Sequence, residues 1–452
     1  MERLADGCVD QDREPLAILG GPPVHVGQWP TWPRAGRIAQ RGLLNVLHSG
    51  KWTLSGRSSV IPSQERLFAE SFAGFVGRRY GVSCSSGTAA LTIALQALGI
   101  GPGDEVVVSG LTWVACASAV VNLGGIPVLV DVDPDSLCAS IAAIEAGLSA
   151  RTRAVLGVHM YASRADLPAL ETLCARHNLS LIEDASQAHG ATIGNRRAGT
   201  FGSISIFSFQ QSKLLTAGEG GIAVTDDDRL FQRMQQLRAD GRAYAGPAPM
   251  APAFSELVAC GEILGRNLCL SEFQAVLLQE GLGRLDVENA HRLRMATVLE
   301  EAVGGLGWVS VVRDRLDPRD GATFYKIPLR IDEERLLRIG PELLARALTA
   351  ELRLPVEPLD WPLNRSPLYR PETSPLVARN ADAVELFRPG RFSLPQAEAV
   401  WRSSVALPHP CLMGGEIDVQ TIATALRKIH RNADALEDLS RRPSPGAQAF
   451  RT

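Results

Sequence analysis

One lysine of this chain stands among unusual neighbours. Lys213 lies in FSFQQSKLLTAGEGGIAVTDD (residues 207–227), among apolar and small residues, with Ser208 five positions before it and Gly218, Gly220 and Gly221 after it. A lysine kept from water sheds its proton readily and can condense with an aldehyde, whereas one on a surface loop snorkels to solvent. Other stretches carry candidate chemistry too. Asp184 and Gln187 stand in LIEDASQAHGA, Thr112 and Trp113 follow EVVVS, and Ser85-Ser86-Gly87-Thr88 opens straight into a helical pattern. Singly, each has an ordinary explanation: an aspartate capping a turn, a core tryptophan, a helix N-cap.

Together they answer one demand. A helix N-terminus opened by small residues offers backbone N–H groups to a phosphate. A desolvated lysine condenses with an aldehyde, a buried carboxylate holds a pyridine nitrogen protonated, and an aromatic side chain stacks on the ring. Phosphate, aldehyde and pyridine belong to one cofactor, pyridoxal 5'-phosphate. Nucleotide binding is the rival reading and is rejected. GEGG lacks the G-x-x-x-x-G-K-[ST] spacing, and no G-x-G-x-x-G follows a strand with a ribose-binding acid in place.

The elements that must position these residues alternate. EVVVS, IPVLVDVD, RAVLGVHMY, LSLIEDAS, ISIFSF and GGIAVTDD read as strands, and GTAALTIALQALG and ADLPALETLCARHN as helices, the latter with Leu167, Leu170 and Cys174 on one face. Such alternation implies crossover units, a largely parallel sheet covered on both faces, and ligands at the carboxyl ends of the strands. From about Gly283 to Glu301 a long charged helix is expected. After it come a strand-like ATFYKIPLRI, a helix ELLARALTAELR and a Pro-rich loop. The expected organisation is an N-terminal tail over 1–14, a large domain with an N-terminal arm over 15–283, a linking helix and small domain over 284–437, and a tail over 438–452.

Composition sets the outer limits. The chain has 452 residues, a formal charge of −3 and 45% hydrophobic residues, which suits a large globular core and gives no reason to expect nucleic acid or an anionic membrane as partner. Its eight cysteines are scattered without a C-x-x-C pair, so reduced core thiols are expected in place of zinc or disulfides. No metal site is expected. Residues 106–130 carry no charge, but Gly110, Gly124-Gly125 and Pro127 divide them into strand, helix and strand and argue against a membrane span. The N-terminus shows no signal-peptide pattern. A cytoplasmic protein is expected.

In SSGTAAL, GLTWVACASAV, LIEDASQAHGA, FSFQQSKLLTAGEGGIAVTDD and GRNLCLSEFQAV the sequence resembles the DegT/DnrJ/StrS sugar aminotransferases, a likeness that runs from about Leu16 to Ile429. The resemblance implies the pyridoxal-phosphate transferase fold type I, an α/β fold: a large domain with a mainly parallel seven-stranded sheet flanked by helices, plus a smaller C-terminal α/β domain. It makes Lys213 the Schiff-base lysine and Asp184 the partner of the pyridine nitrogen; both are the catalytic candidates. Gln187 would contact the ring oxygen and Trp113 would stack on the ring. Gly87 and Thr88, with the Ser208 hydroxyl, would hold the phosphate. Asn267 would reach the phosphate of the other subunit, which implies a homodimer with shared active sites.

LAILGGPPV, HSGKWTLSG and VEPLDWPLNRSPLY look like the branch acting on keto-cyclitols in aminoglycoside biosynthesis. That implies transfer of an amino group from glutamine or glutamate to a ketone of a cyclitol or sugar. His409, in SVALPHPCL, and Asp360 are the candidate substrate residues. Two departures stand out: Cys269 where the family usually has arginine, and Asp360-Trp361 where relatives carry another aromatic and acidic pair. A 3-amino-5-hydroxybenzoate synthase-like enzyme and a dehydratase are alternatives; related dehydratases replace the lysine with histidine, which this chain does not. A non-catalytic sensor or partner subunit is a third.

Overall fold

A chain that alternates buried strands with helices can cover its sheet only by crossing over it, and this one does. The computed structural model describes residues 14–55, 62–244, 256–316, 321–379 and 381–441. Seven strands form the large sheet. From one edge, Ile126–Val130, Glu105–Ser109, Thr152–Val158, Ser180–Asp184 and Ile204–Ser208 run parallel; Gly221–Thr225 runs antiparallel to the last, and Tyr80–Cys84 antiparallel to it in turn. Tyr80–Cys84 therefore points the same way as the five parallel strands. Its short YGVSC pattern gave no strand signal of its own.

The charge-free run resolves as expected into the strand Glu105–Ser109, the helix Ala115–Val121 and the strand Ile126–Val130, nearly all of it buried. No helix among the described residues is long and apolar enough to cross a membrane. The helix Leu167–His177 buries Leu167, Leu170 and Cys174, as its periodicity requires.

The long helix starts earlier than its charge pattern marks and covers Glu272–Gly304. A capping box sets the start: the Ser271 hydroxyl accepts from Gln274 N, and the Gln274 side chain accepts from Ser271 N. Beyond it, Val309–Val311, Lys326–Ile331, Ser404–Pro408 and Glu357–Pro358 form an antiparallel four-stranded sheet, covered by the helices Pro341–Leu352 and Glu416–Arg431.

Two segments pack against a unit other than their sequence neighbours. The N-terminal arm joins the second core: Leu16 is buried there, and the Glu351 carboxylate accepts from Ala17 N and Val24 N. The loop after Glu357–Pro358 returns to the first core through Leu359, Leu363 and Leu394, with Leu363 N donating to the Gly110 carbonyl. Of the expected tails, 1–13 and 442–452 lie outside the described residues. The helix Ala433–Ser440 runs into the second, held by buried Leu436. The seven cysteines among the described residues are free; five are buried, Cys269 is half-buried and Cys260 is exposed, while Cys8 lies outside them.

Candidate active site

The strand directions decide where chemistry can occur. Six strands end at one edge of the sheet; Asp184 and Ser208 close their strands there, and Ser86 and Thr112 stand in the segments that leave it. Because Gly221–Thr225 pairs antiparallel with Ile204–Ser208, the intervening loop need not cross the sheet. It stays at the carboxyl edge and holds Lys213 there. Phe209 N bonds to the Gly220 carbonyl at 2.8 Å and Ala217 N to the Phe209 carbonyl at 3.1 Å, closing the loop at its base.

The result is a cavity of about 460 Å³ whose lining includes Gly87, Thr88, Trp113, Asp184, Gln187, Ser208 and Lys213. Seven of the residues singled out from sequence thus converge on one space.

Glycine is required at two contacts beside this space. A Cβ on Gly87 would lie 2.6 Å from the Ser208 Cβ, and one on Gly221 would lie 2.3 Å from the Ser86 carbonyl oxygen. The helix Gly87–Ala97 therefore starts in contact with both strands of the pair. Its Ser86 cap accepts from Ala89 N at 3.1 Å and Ala90 N bonds to the Ser86 carbonyl, so the N–H groups of Gly87 and Thr88 are left for an acceptor in the cavity. With the Ser208 hydroxyl, they are donors on the cavity wall that could hold an anion such as a phosphate.

Asp184 closes its strand and is 5% exposed. Its neighbour Glu183 points to the opposite face, where Gly199 N, Phe201 N and the Ser205 hydroxyl satisfy it. Asp184 instead faces the cavity, with Ser186 N donating to Oδ1 at 3.0 Å. Gln187 accepts from Tyr161 N through Oε1 at 2.6 Å, and its Nε2 rests on the Met160 sulfur at 3.7 Å. Tyr161 adopts φ 58°, the left-handed region that β-carbon residues rarely enter. Its carbonyl accepts from Tyr325 N at 3.2 Å, so this one residue ties Gln187 to the second unit. Trp113 is 52% exposed on the cavity, which sets aside its reading as a core residue.

Beneath the loop, fully buried His189 meets the Ser208 carbonyl through Nε2 at 3.0 Å. Burial first, and the Lys213 charge second, push its pKa down to about 3, so the ring is neutral and Nε2–H donates.

The remaining candidates lie apart from the cavity lining. Asn267 is exposed, its side chain accepting from Cys269 N at 3.3 Å. Asp360 is half-buried, and its N–H donates to the Tyr161 hydroxyl at 2.7 Å. His409 is only 1% exposed and packs edge-on to Trp32 with ring centroids 4.6 Å apart. Cys269 leans on the Arg238 carbonyl at 3.5 Å, and the fully buried Arg238 is paired with Glu65.

Sequence reasoning missed Tyr325 and Cys116, which also line the cavity. Tyr325 comes from the second unit, where a strand pattern gave no hint of a site. Cys116 stood in view within GLTWVAC, four residues after Thr112, the spacing that stacks side chains on a helical turn.

A family model described as the DegT/DnrJ/EryC1/StrS aminotransferase family matches residues 36–427. The chain is 42% identical over 421 residues to an L-glutamine:2-deoxy-scyllo-inosose aminotransferase of Streptomyces paromomycinus, covering 93% of this chain and 99% of that protein. It is 43% identical over 417 residues to an L-glutamine:scyllo-inosose aminotransferase of Streptomyces griseus, covering 92% and 98%. Among solved structures, 3-amino-5-hydroxybenzoic acid synthase superposes with a TM-score of 0.73 at 29% identity, covering 89% of this chain and 99% of that one. With a match of that extent, and with the motif residues gathered on one cavity, the chain belongs to the DegT/DnrJ/EryC1/StrS aminotransferase family.

Proposed function

We propose that this chain is a pyridoxal-phosphate-dependent aminotransferase that moves an amino group from L-glutamine to the ketone of a scyllo-inosose-type cyclitol. The observation that carries the reading is the convergence of Lys213, Asp184 and the Gly87–Thr88 turn on one cavity. The donor set suits the cofactor: an anion cradle that a Cβ at Gly87 would fill, a buried carboxylate and a primary amine. The substrate class comes from the relatives named above, and the retained lysine at position 213 favours amino transfer over dehydration.

When bound, pyridoxal phosphate supplies an aldehyde that condenses with amines and a ring that takes up the electron pair left when a donor's α-proton departs. Gly87 N–H, Thr88 N–H and the Ser208 hydroxyl would hold its phosphate. The Asp184 carboxylate would keep a proton on the pyridine nitrogen, and the Gln187 amide would face the ring oxygen. Trp113 would cover the ring face and keep water away. Lys213 would anchor the aldehyde carbon and then, as free amine, take a proton at Nζ and return it.

Asp360 remains in the reading as a substrate-side residue, tied through Tyr161 to the Gln187 edge of the site. His409 is too enclosed to be kept as one. Asn267 is exposed and outside the lining of its own chain's cavity, and it is read as completing the partner's phosphate cradle, in a cytoplasmic homodimer.

The test is a visible absorbance spectrum of the purified protein supplied with pyridoxal phosphate. The lysine-bound band should bleach on adding L-glutamine and return on adding 2-deoxy-scyllo-inosose or scyllo-inosose. A band that neither glutamine nor glutamate alters would defeat the donor assignment, and absence of any band would defeat the cofactor.

A further inference from the structure

Asp184 is held by two donors, one on each oxygen. Ser186 N reaches Oδ1 at 3.0 Å, and the Cys116 thiol reaches Oδ2 at 3.3 Å. Cys116 lies in the helix Ala115–Val121, lines the cavity and is 2% exposed. Its sulfur has another polar neighbour, the Thr112 hydroxyl at 3.3 Å. The thiol donates its one proton to the Asp184 carboxylate, so the sulfur is left to accept from the Thr112 hydroxyl. The three groups form one directed chain, from the Thr112 hydroxyl to the Cys116 sulfur and from the Cys116 thiol to the carboxylate.

Burial, with the Asp184 charge second, raises the Cys116 thiol well above its ordinary value. The proton therefore stays on sulfur across the working range, and the donor persists.

We infer that Cys116 is a positioning residue for Asp184: its thiol, itself oriented by Thr112, fixes the carboxylate's rotamer in the cavity where a pyridine nitrogen would meet it. The inference rests on the pyridoxal phosphate reading above. A thiol is a weak donor, but one aimed at a charge outweighs its neutral counterpart. Alanine at this position would leave Oδ2 without this donor. Serine would restore one, from a shorter bond.

The experiment combines infrared spectroscopy with cofactor titration, using wild-type apoprotein, C116S, C116A and D184N. The wild-type minus C116S difference spectrum isolates one S–H stretching band. It should lie below the frequency of a free thiol and move up in D184N. Titrated with pyridoxal phosphate, C116A should bind about threefold to tenfold more weakly, while C116S stays within about twofold of wild type. A free-thiol frequency that D184N leaves unmoved, or equal behaviour of C116A and C116S, overturns the inference. Absence of a visible band in every protein, wild type included, would instead overturn the cofactor reading, and the infrared band would still report whether Cys116 holds Asp184.

Discussion

The ammonium of Lys213 lies 4.0 Å from the centroid of the Tyr325 ring. Lys213 belongs to the loop between two strands of the large sheet, whereas Tyr325 directly precedes a strand of the second sheet, so the contact joins the two units at the reactive amine. The Tyr325 hydroxyl also meets the Ser212 Oγ at 2.9 Å, and that hydroxyl in turn donates to Gln210 Oε1. Ring and hydroxyl thus restrain the lysine loop separately. A cation–π contact contributes roughly 0.5–2 kcal/mol, depending on desolvation. Y325A should lower kcat with glutamine and an inosose about tenfold or more, and Y325F only about twofold to fivefold, because it keeps the ring. Steady-state kinetics decide it; an unchanged kcat in Y325A would remove Tyr325 from the site.

As the proposed anchor of the cofactor, Lys213 should admit no substitute. K213A should abolish turnover while the anion cradle still binds pyridoxal phosphate non-covalently. Borohydride treatment of the loaded wild type, followed by peptide mass mapping, should find the cofactor's added mass on the peptide holding Lys213. Transamination by K213A at a near-normal rate, or the mass on another lysine, would refute the assignment.

Gly87, crowded against Ser208, makes a sterically defined prediction. Alanine at Gly87 must push the helix start away from Ser208, where its Cβ would lie only 2.6 Å from another Cβ. The Gly87 and Thr88 N–H groups would move with it. G87A should weaken pyridoxal phosphate binding by about tenfold or more, since charged hydrogen bonds of roughly 1.5–3 kcal/mol are misaimed. Gly99 is a control, because a Cβ there meets nothing within 4 Å, although its φ of 84° carries a backbone cost. G99A should lower the melting temperature without changing cofactor affinity; equal affinity losses in both variants would show that Gly87 acts only through general stability.

Much of this was legible because strand burial and strand-end chemistry are both local signals. The parallel strands announce themselves as β-branched runs, and Asp184, Ser208 and Lys213 stand at or just beyond strand ends, where an α/β sheet gathers its ligands. Tyr80–Cys84 was not legible. Glycine and serine interrupt its pattern, and it is a strand because Gly221–Thr225 needs a partner, which is a tertiary reason. Tyr325 was hidden for a similar cause, since its place over Lys213 depends on how the second unit sits on the first. His409 was drawn in by its place in a motif, yet the fold encloses it beside Trp32. Distance along the chain says nothing about which side of the lysine loop a residue occupies.

The histidine beneath that loop sets an acid limit on stability. His189 has a folded-state pKa of about 3, against an ordinary value of 6.5, because burial and then the Lys213 charge disfavour its protonated form. His409, likewise buried, is held well below its ordinary value, with the Arg292 charge the second cause. Between pH 3 and 6.5 the unfolded chain binds a proton at position 189 that the folded chain does not. The unfolded state then binds more protons, so stability rises with pH and is lost on acidification through that window. Each such histidine contributes up to about 1.4 kcal/mol per pH unit there. The melting temperature of the wild type should therefore fall steadily from pH 6.5 towards pH 4.5. H189Q keeps an amide donor for the Ser208 carbonyl but has no proton to take up. Its melting temperature is expected below that of the wild type at pH 7.5, with a visibly shallower fall on acidification. Parallel curves for the two proteins would mean that other groups, His409 and the carboxylates among them, set the acid limit and that His189 takes no part in it.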